Sequence, residues 1–239
     1  MNSGHRFSSI VNKVNLTKSG DTSAIRKQYF NIALRTGISL PPERKEIEVR
    51  TLTLLRSIKK EIKTPEILYC GEDYIEIQYI KGPLALHVMQ QAAGDLCQQF
   101  ESLGSSLAIC EEFLFENRNR LFDGLIHIQN QCAETLKRFK TPRLELRPQQ
   151  YDSVSTGDMG LKNLIYSSPD LYAIDFEFCH LSKRGRDTAQ LFSQLNLLGK
   201  FEQAAALVNG YQRKGGSFSD ISFWSPHFAD YYEQKNGKA

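Results

Sequence analysis

Ile10 to Leu16 alternates apolar and polar side chains, a period of two that predicts a strand. Lys18-Ser19-Gly20-Asp21 is turn chemistry, and Ala24 to Phe30 reads as the returning strand of a hairpin. Pro41 and Pro42 precede Glu43, a helix start. Ile47, Leu54, Leu55 and Ile58, widened by Val49 and Leu52, carry the apolar face of that helix until Pro65 closes the stretch. Ile67 to Tyr69 and Tyr74 to Ile80 are two further strands around Gly71-Glu72-Asp73. Lys81-Gly82-Pro83 is the sharpest break in this half, so a strand-rich lobe is expected over residues 1–82 and a second lobe over 83–239.

Beyond the break the pattern changes. Leu84 to about Phe115 and Leu121 to about Phe139 are long, helix-rich and poor in β-branched runs. Two short strands are predicted at Leu164 to Tyr166 and Leu171 to Ile174, around Ser167-Ser168-Pro169-Asp170. Helices resume at Asp187 to Leu198 and Phe201 to Tyr211. The tail with Trp224, His227, Tyr231 and Tyr232 is expected to be only partly regular and to pack on the last helices. The fold class is therefore α+β and bilobal, with a small antiparallel sheet followed by a larger helical lobe.

Composition narrows the function classes. An apolar share of 41% excludes a disordered chain. No apolar run approaches the ~20 residues of a membrane span. No basic start followed by an apolar stretch opens the chain, so the expected compartment is the cytoplasm. A net charge of +3 is too balanced to argue for a nucleic-acid partner. The five cysteines, Cys70, Cys97, Cys110, Cys132 and Cys179, form no C-x-x-C pair and read as reduced, mostly buried small hydrophobes. The histidines show no ligand spacing.

The chemistry concentrates in one segment. Thr156-Gly157-Asp158-Met159-Gly160-Leu161-Lys162-Asn163 is followed by a short strand, a turn, and Tyr172-Ala173-Ile174-Asp175-Phe176-Glu177. Alone, D-x-x-x-x-N is equally an Asx-rich turn satisfying its own backbone. Joined to an apolar strand ending in Asp-Phe, it brings two carboxylates and an amide to one end of a hairpin. Phosphoryl transfer needs a carboxylate to orient or deprotonate the attacking hydroxyl and oxygen ligands for a phosphate-bridging Mg²⁺. Asp158 suits the first role; Asn163 and Asp175 suit the second.

The segment resembles the catalytic loop and metal-binding turn of the aminoglycoside phosphotransferase and choline kinase family, relatives of the protein kinases, where H-G-D-x-x-x-x-N precedes I-D-F/W-E. The resemblance implies a protein-kinase-like fold, ATP and Mg²⁺ as cofactors, and a small-molecule hydroxyl as phosphate acceptor. It also implies a phosphate-binding strand lysine paired with a helix glutamate. Lys27 fills the first position with Arg26 as rival, and Glu48 the second with Glu46 as rival. The segment Gln78-Tyr79-Ile80 would meet adenine through its backbone, and Asp187 would cap its helix and brace the loop. Three features depart from the family. Thr156 stands in place of the loop histidine. No G-x-G-x-x-G is present, so Ser8 and Ser9 in Arg6-Phe7-Ser8-Ser9-Ile10 are the candidate phosphate contacts. Few residues follow Asp175, which leaves the acceptor site open or completed by the tail. Two alternatives stand beside the small-molecule kinase: a compact atypical protein kinase acting on a protein substrate, and an inactive kinase-like nucleotide-binding module.

Overall fold

Residues 13–19, 22–30, 40, 43–91, 95–125 and 148–236 are described by the structure, a computed structural model of the chain. Strand β1 (Lys13–Ser19) turns back into β2 (Thr22–Gln28), with Leu16 opposite Ile25. The helix α1 (Arg44–Arg56) follows, then β3 (Ile67–Cys70) and β4 (Tyr74–Gln78). All neighbours are antiparallel and the spatial order is β1-β2-β4-β3, so β4 inserts beside β2 with Ile77 opposite Ile25. Ile47, Leu54 and Leu55 of α1 and Ile75 of β4 share one apolar core. The start proposed at Ile10 lies outside the described residues.

The rest of the described chain is largely helical. The helix-rich stretch from Leu84 to about Phe115 contains two helices, α2 (Ala85–Gln90) and α3 (Cys97–Glu116). Asp95 accepts the Cys97 N–H at 2.9 Å, which supplies a side-chain acceptor where the second helix begins. A short α4 (Arg118–Phe122) comes next; most of the helix expected over Leu121 to Phe139 lies outside the described residues. Strands β5 (Ser153–Ser155), β6 (Leu164–Ser167), β7 (Asp170–Ala173) and β8 (His180–Ser182) form two small antiparallel pairs, β5 with β8 and β6 with β7. The helices α5 (Arg186–Leu197), α6 (Phe201–Arg213) and α7 (Phe218–Asn236) complete the fold.

The close crossing of α3 and α6 depends on missing side chains. A Cβ on Gly210 would lie 1.8 Å from the Glu101 carbonyl oxygen, and one on Gly104 would lie 2.0 Å from that of Leu207. Ser105 Oγ uses the proximity to donate to Gly210 O at 3.0 Å.

One expectation is corrected, and one strand pair was not foreseen. The tail is a regular helix despite Pro226, because Ile221, Trp224, Phe228 and Tyr232 form one buried stripe. That stripe offsets the hydrogen bond lost at an interior proline. The β5–β8 pair had no precursor in the sequence pattern, since three-residue strands rich in serine carry no readable period. Of the cysteines, Cys110 and Cys179 are buried, Cys97 is half-buried and Cys70 is exposed.

Candidate active site

Strand alternation decides which basic residue of β2 points inward. Arg26 turns to the outer face of the sheet, where its guanidinium meets Glu76 on β4 at 2.7 Å. Lys27, one residue on, is buried and faces α1 and the β7 end. Its Nζ lies 2.5 Å from Glu48 Oε2, 2.5 Å from Asp175 Oδ1 and 3.8 Å from Glu177 Oε1. Tyr29 also donates to Glu48 Oε2, at 2.5 Å. The rival Glu46 instead pairs with Arg50 at 2.8 Å on the helix exterior. Lys27, Glu48 and Asp175 are thus brought together across 148 residues of sequence.

Burial alone would lower the lysine pKa, but Asp175, Glu177 and Glu48 outweigh it and hold Lys27 charged. Burial likewise raises Asp175, yet the adjacent Lys27 pulls its carboxyl below the ordinary value. Glu177 has no exposure, and burial pushes it up to about 7. Arg44, from the first turn of α1, is fully buried against Glu177 and donates to the Phe30 carbonyl at 2.7 Å. In the sequence Glu177 is legible only as the end of the Ile174-Asp175-Phe176-Glu177 segment and Arg44 not at all, since no local pattern marks a helix-start arginine as an inward-facing partner.

Asp175 follows β7 at φ 72°, a left-handed conformation uncommon for a residue other than glycine. Such strain persists where surrounding contacts over-determine it. Here Ile174 N donates to Asn163 O at 3.0 Å, and Lys27 holds the side chain. The same backbone bond places Asn163 beside Asp175 at one end of the β6–β7 hairpin. Asn163 Nδ2 donates to the Asp158 carbonyl at 2.7 Å, so its amide oxygen is the end left for a ligand. That oxygen and the partly exposed Asp175 carboxylate are hard donors suited to Mg²⁺. Glu48, Asp175 and Glu177 also bring carboxylate oxygens within 4.8 Å of one another, but Lys27 Nζ sits among them and meets their charge, so the donor set that fits a divalent cation is Asn163 with Asp175.

The loop carrying Asp158 is fixed from behind. Asp187 accepts from Ser155 Oγ at 2.5 Å and from Thr156 N at 2.7 Å. Arg186 donates to the Gly157 carbonyl at 3.0 Å. Gly157 itself adopts φ 95°, and a Cβ there would sit 2.3 Å from Phe178 O. Asp187 therefore braces the loop as expected. It does not cap α5: the cap position is Gly185, which has no side chain to supply a cap bond, and the Asp187 carboxylate is turned toward the loop. Both carboxylate oxygens of Asp158 are engaged, Oδ1 by Gln190 Nε2 at 2.9 Å and Oδ2 by Lys162 Nζ at 2.6 Å. Neither Lys162 nor Gln190 has a role assigned from the sequence; the only signal for Lys162 is its place four residues after Asp158.

The candidates Gln78, Tyr79 and Ile80 take no part in these contacts. Gln78 N donates to Glu66 O at 2.8 Å and Tyr79 N to Ser23 O at 3.2 Å. Those two residues can therefore offer a base only carbonyl oxygens through the backbone. Ile80 is buried next to them. Ser8 and Ser9 lie outside the described residues.

The antiparallel sheet with α1 against it, followed by the helical region around the β6–β7 hairpin, is the fold of kinase-like small-molecule phosphotransferases. The chain is similar to aminoglycoside-3'-phosphotransferase of type VIII, with a TM-score of 0.60 and 15% identity, over 97% of this chain and 94% of that one. It is similar to an ethanolamine kinase of Plasmodium vivax, with a TM-score of 0.58 and 12% identity, over 96% and 73%. An amicoumacin kinase solved with AMP-PNP and Ca²⁺ gives a TM-score of 0.57 and 12% identity, over 96% and 78%. No family model and no curated protein sequence matches the chain. At these identities the likeness shows the fold. Among the described residues no helix is long and apolar enough to cross a membrane.

Proposed function

We propose that the protein is an ATP-dependent kinase that transfers the γ-phosphate of Mg-ATP to a hydroxyl of a small molecule. The observation that carries the reading is Lys27, buried and shared between Glu48 of the helix and Asp175 of the metal-binding turn. A structural scaffold has little use for a desolvated lysine set between two carboxylates, whereas a phosphate site needs such a charge held ready. Further support comes from the structural neighbours, whose names describe kinases and phosphotransferases of small molecules.

In this mechanism Lys27 donates to the phosphate oxygens and Glu48 keeps its ammonium in place. Asn163 and Asp175 would hold Mg²⁺, which when bound supplies positive charge to the phosphate oxygens. Asp158 accepts the proton of the acceptor hydroxyl as that oxygen bonds to the γ-phosphorus and the bond to the β-phosphate oxygen breaks, releasing ADP. Lys162 must leave Asp158 Oδ2 for that oxygen to receive the hydroxyl. Ile80 and the carbonyls of Gln78 and Tyr79 are the proposed adenine contacts. Ser8 and Ser9 are the proposed further phosphate contacts. The nucleotide would lie between a sheet-bearing lobe, residues 1–82, and a helical lobe, residues 83–239.

Titration calorimetry with Mg-ATP on the wild type and on Asp175→Ala tests the reading, followed by an acceptor screen. Binding that requires Mg²⁺ and is lost in the variant is expected. Wild-type protein that neither binds nor consumes Mg-ATP would overturn the assignment.

A further inference from the structure

The Asp158 loop is fastened to the C-terminal helix by a chain of side-chain hydrogen bonds. Gln190 and Gln194 lie four residues apart on α5 and face the same way. Gln190 Nε2 donates to Asp158 Oδ1 at 2.9 Å and to Tyr232 Oη at 3.3 Å, using both of its N–H groups. Gln194 Nε2 donates to the same Tyr232 oxygen at 2.7 Å, while its Oε1 accepts the Leu161 N–H at 2.7 Å. Both amide orientations follow from chemistry: reversing Gln190 would set a carbonyl against a carboxylate, and reversing Gln194 would set two donors together. Tyr232 is thus a common acceptor for two glutamines that grip the loop at Asp158 and at Leu161. Its ring is buried and stacks on Phe228, which is fully buried.

We infer that Tyr232 is a positioning residue for phosphoryl transfer: through Gln190 and Gln194 it sets the orientation of Asp158 and makes α7 part of the catalytic apparatus. The inference rests on the kinase reading. Asp158 must meet a hydroxyl within hydrogen-bond reach in one orientation, and small misplacements at a reacting centre reduce turnover steeply. Gln190 restrains one carboxylate oxygen and leaves the other, now on Lys162, as the reactive one.

The test uses Tyr232→Phe, which keeps the ring and removes only the acceptor, with Gln190→Met as a second variant. Mg-ATP hydrolysis, with water as acceptor, is followed alongside nucleotide affinity and amide hydrogen exchange. Turnover is expected to fall about tenfold or more in both variants with KM for ATP unchanged. In Tyr232→Phe the Leu161 amide is expected to exchange about tenfold faster. A merely structural role would lower stability without separating kcat from KM. An active wild type with unaltered kcat in folded Tyr232→Phe overturns the positioning role alone. A wild type that neither binds nor hydrolyses Mg-ATP overturns the kinase reading and this role with it, while exchange at Leu161 still reports separately whether the tether exists.

Discussion

Glu111 sits in the middle of α3, buried beneath the start of α5. Its oxygens accept the Gly185 N–H, each at 3.2 Å, and the Tyr211 hydroxyl at 2.7 Å. Burial, with Asp187 nearby, pushes its pKa from 4.5 up to about 8, and the hydrogen bonds only partly oppose this. The folded protein therefore binds a proton at Glu111 that the unfolded chain releases above pH ~4.5. Folding stability must fall as pH rises through that window and level off above the folded value. Linkage over a folded value of about 8 and an unfolded value of 4.5 gives a loss on the order of 2–3 kcal/mol between pH 5 and pH 7. Glu111→Gln retains an acceptor for Tyr211 and cannot ionise. Urea unfolding of both proteins at pH 5, 6, 7 and 8 should show curves that are close at pH 5 and diverge upward in favour of the variant. Part of the divergence will pass through Asp187, whose own carboxyl is raised by burial. Parallel stability profiles for wild type and variant would refute the reasoning.

Two further outcomes follow from the packing. Arg44→Met leaves Glu177 buried beside two other carboxylates with Lys27 as its remaining near cation, and should destabilise the fold by about 3–5 kcal/mol; unchanged denaturant midpoints would show that the pair contributes nothing. Gly210→Ala forces a methyl group onto the Glu101 carbonyl at the α3–α6 crossing and should cost about 1–3 kcal/mol, visible as a lowered Tm.

Much of the site was legible because its parts lie close in sequence. Asp158 and Asn163 share one loop, and the following hairpin returns Asp175 to the same end within a dozen residues, so turn chemistry and a two-residue period were enough to place them. The choice between Lys27 and Arg26 was not available at that level, since both occupy one short strand and either face can be the inner one. Pairing decided it: β4 gives Arg26 a partner in Glu76, while α1 and the β7 end surround Lys27. The tail was expected to be only partly regular, because the stripe of Ile221, Trp224, Phe228 and Tyr232 that carries its helix through Pro226 gains its value only by burial.

By itself the sequence determined most of the order of strands and helices, the three hairpins β1–β2, β3–β4 and β6–β7, and the loop with its acidic turn, all of which depend on contacts a few residues apart. Tertiary structure alone decided that Arg44 would neutralise Glu177, 133 residues away, and that Lys27 would bridge the sheet, the helix and the turn. It also decided that Tyr232 would reach the Asp158 loop through two glutamines. Contacts of that range leave no period in the chain; they form only when packing has already covered the loop-closure entropy of bringing the segments together and removed the water that would otherwise screen their charges.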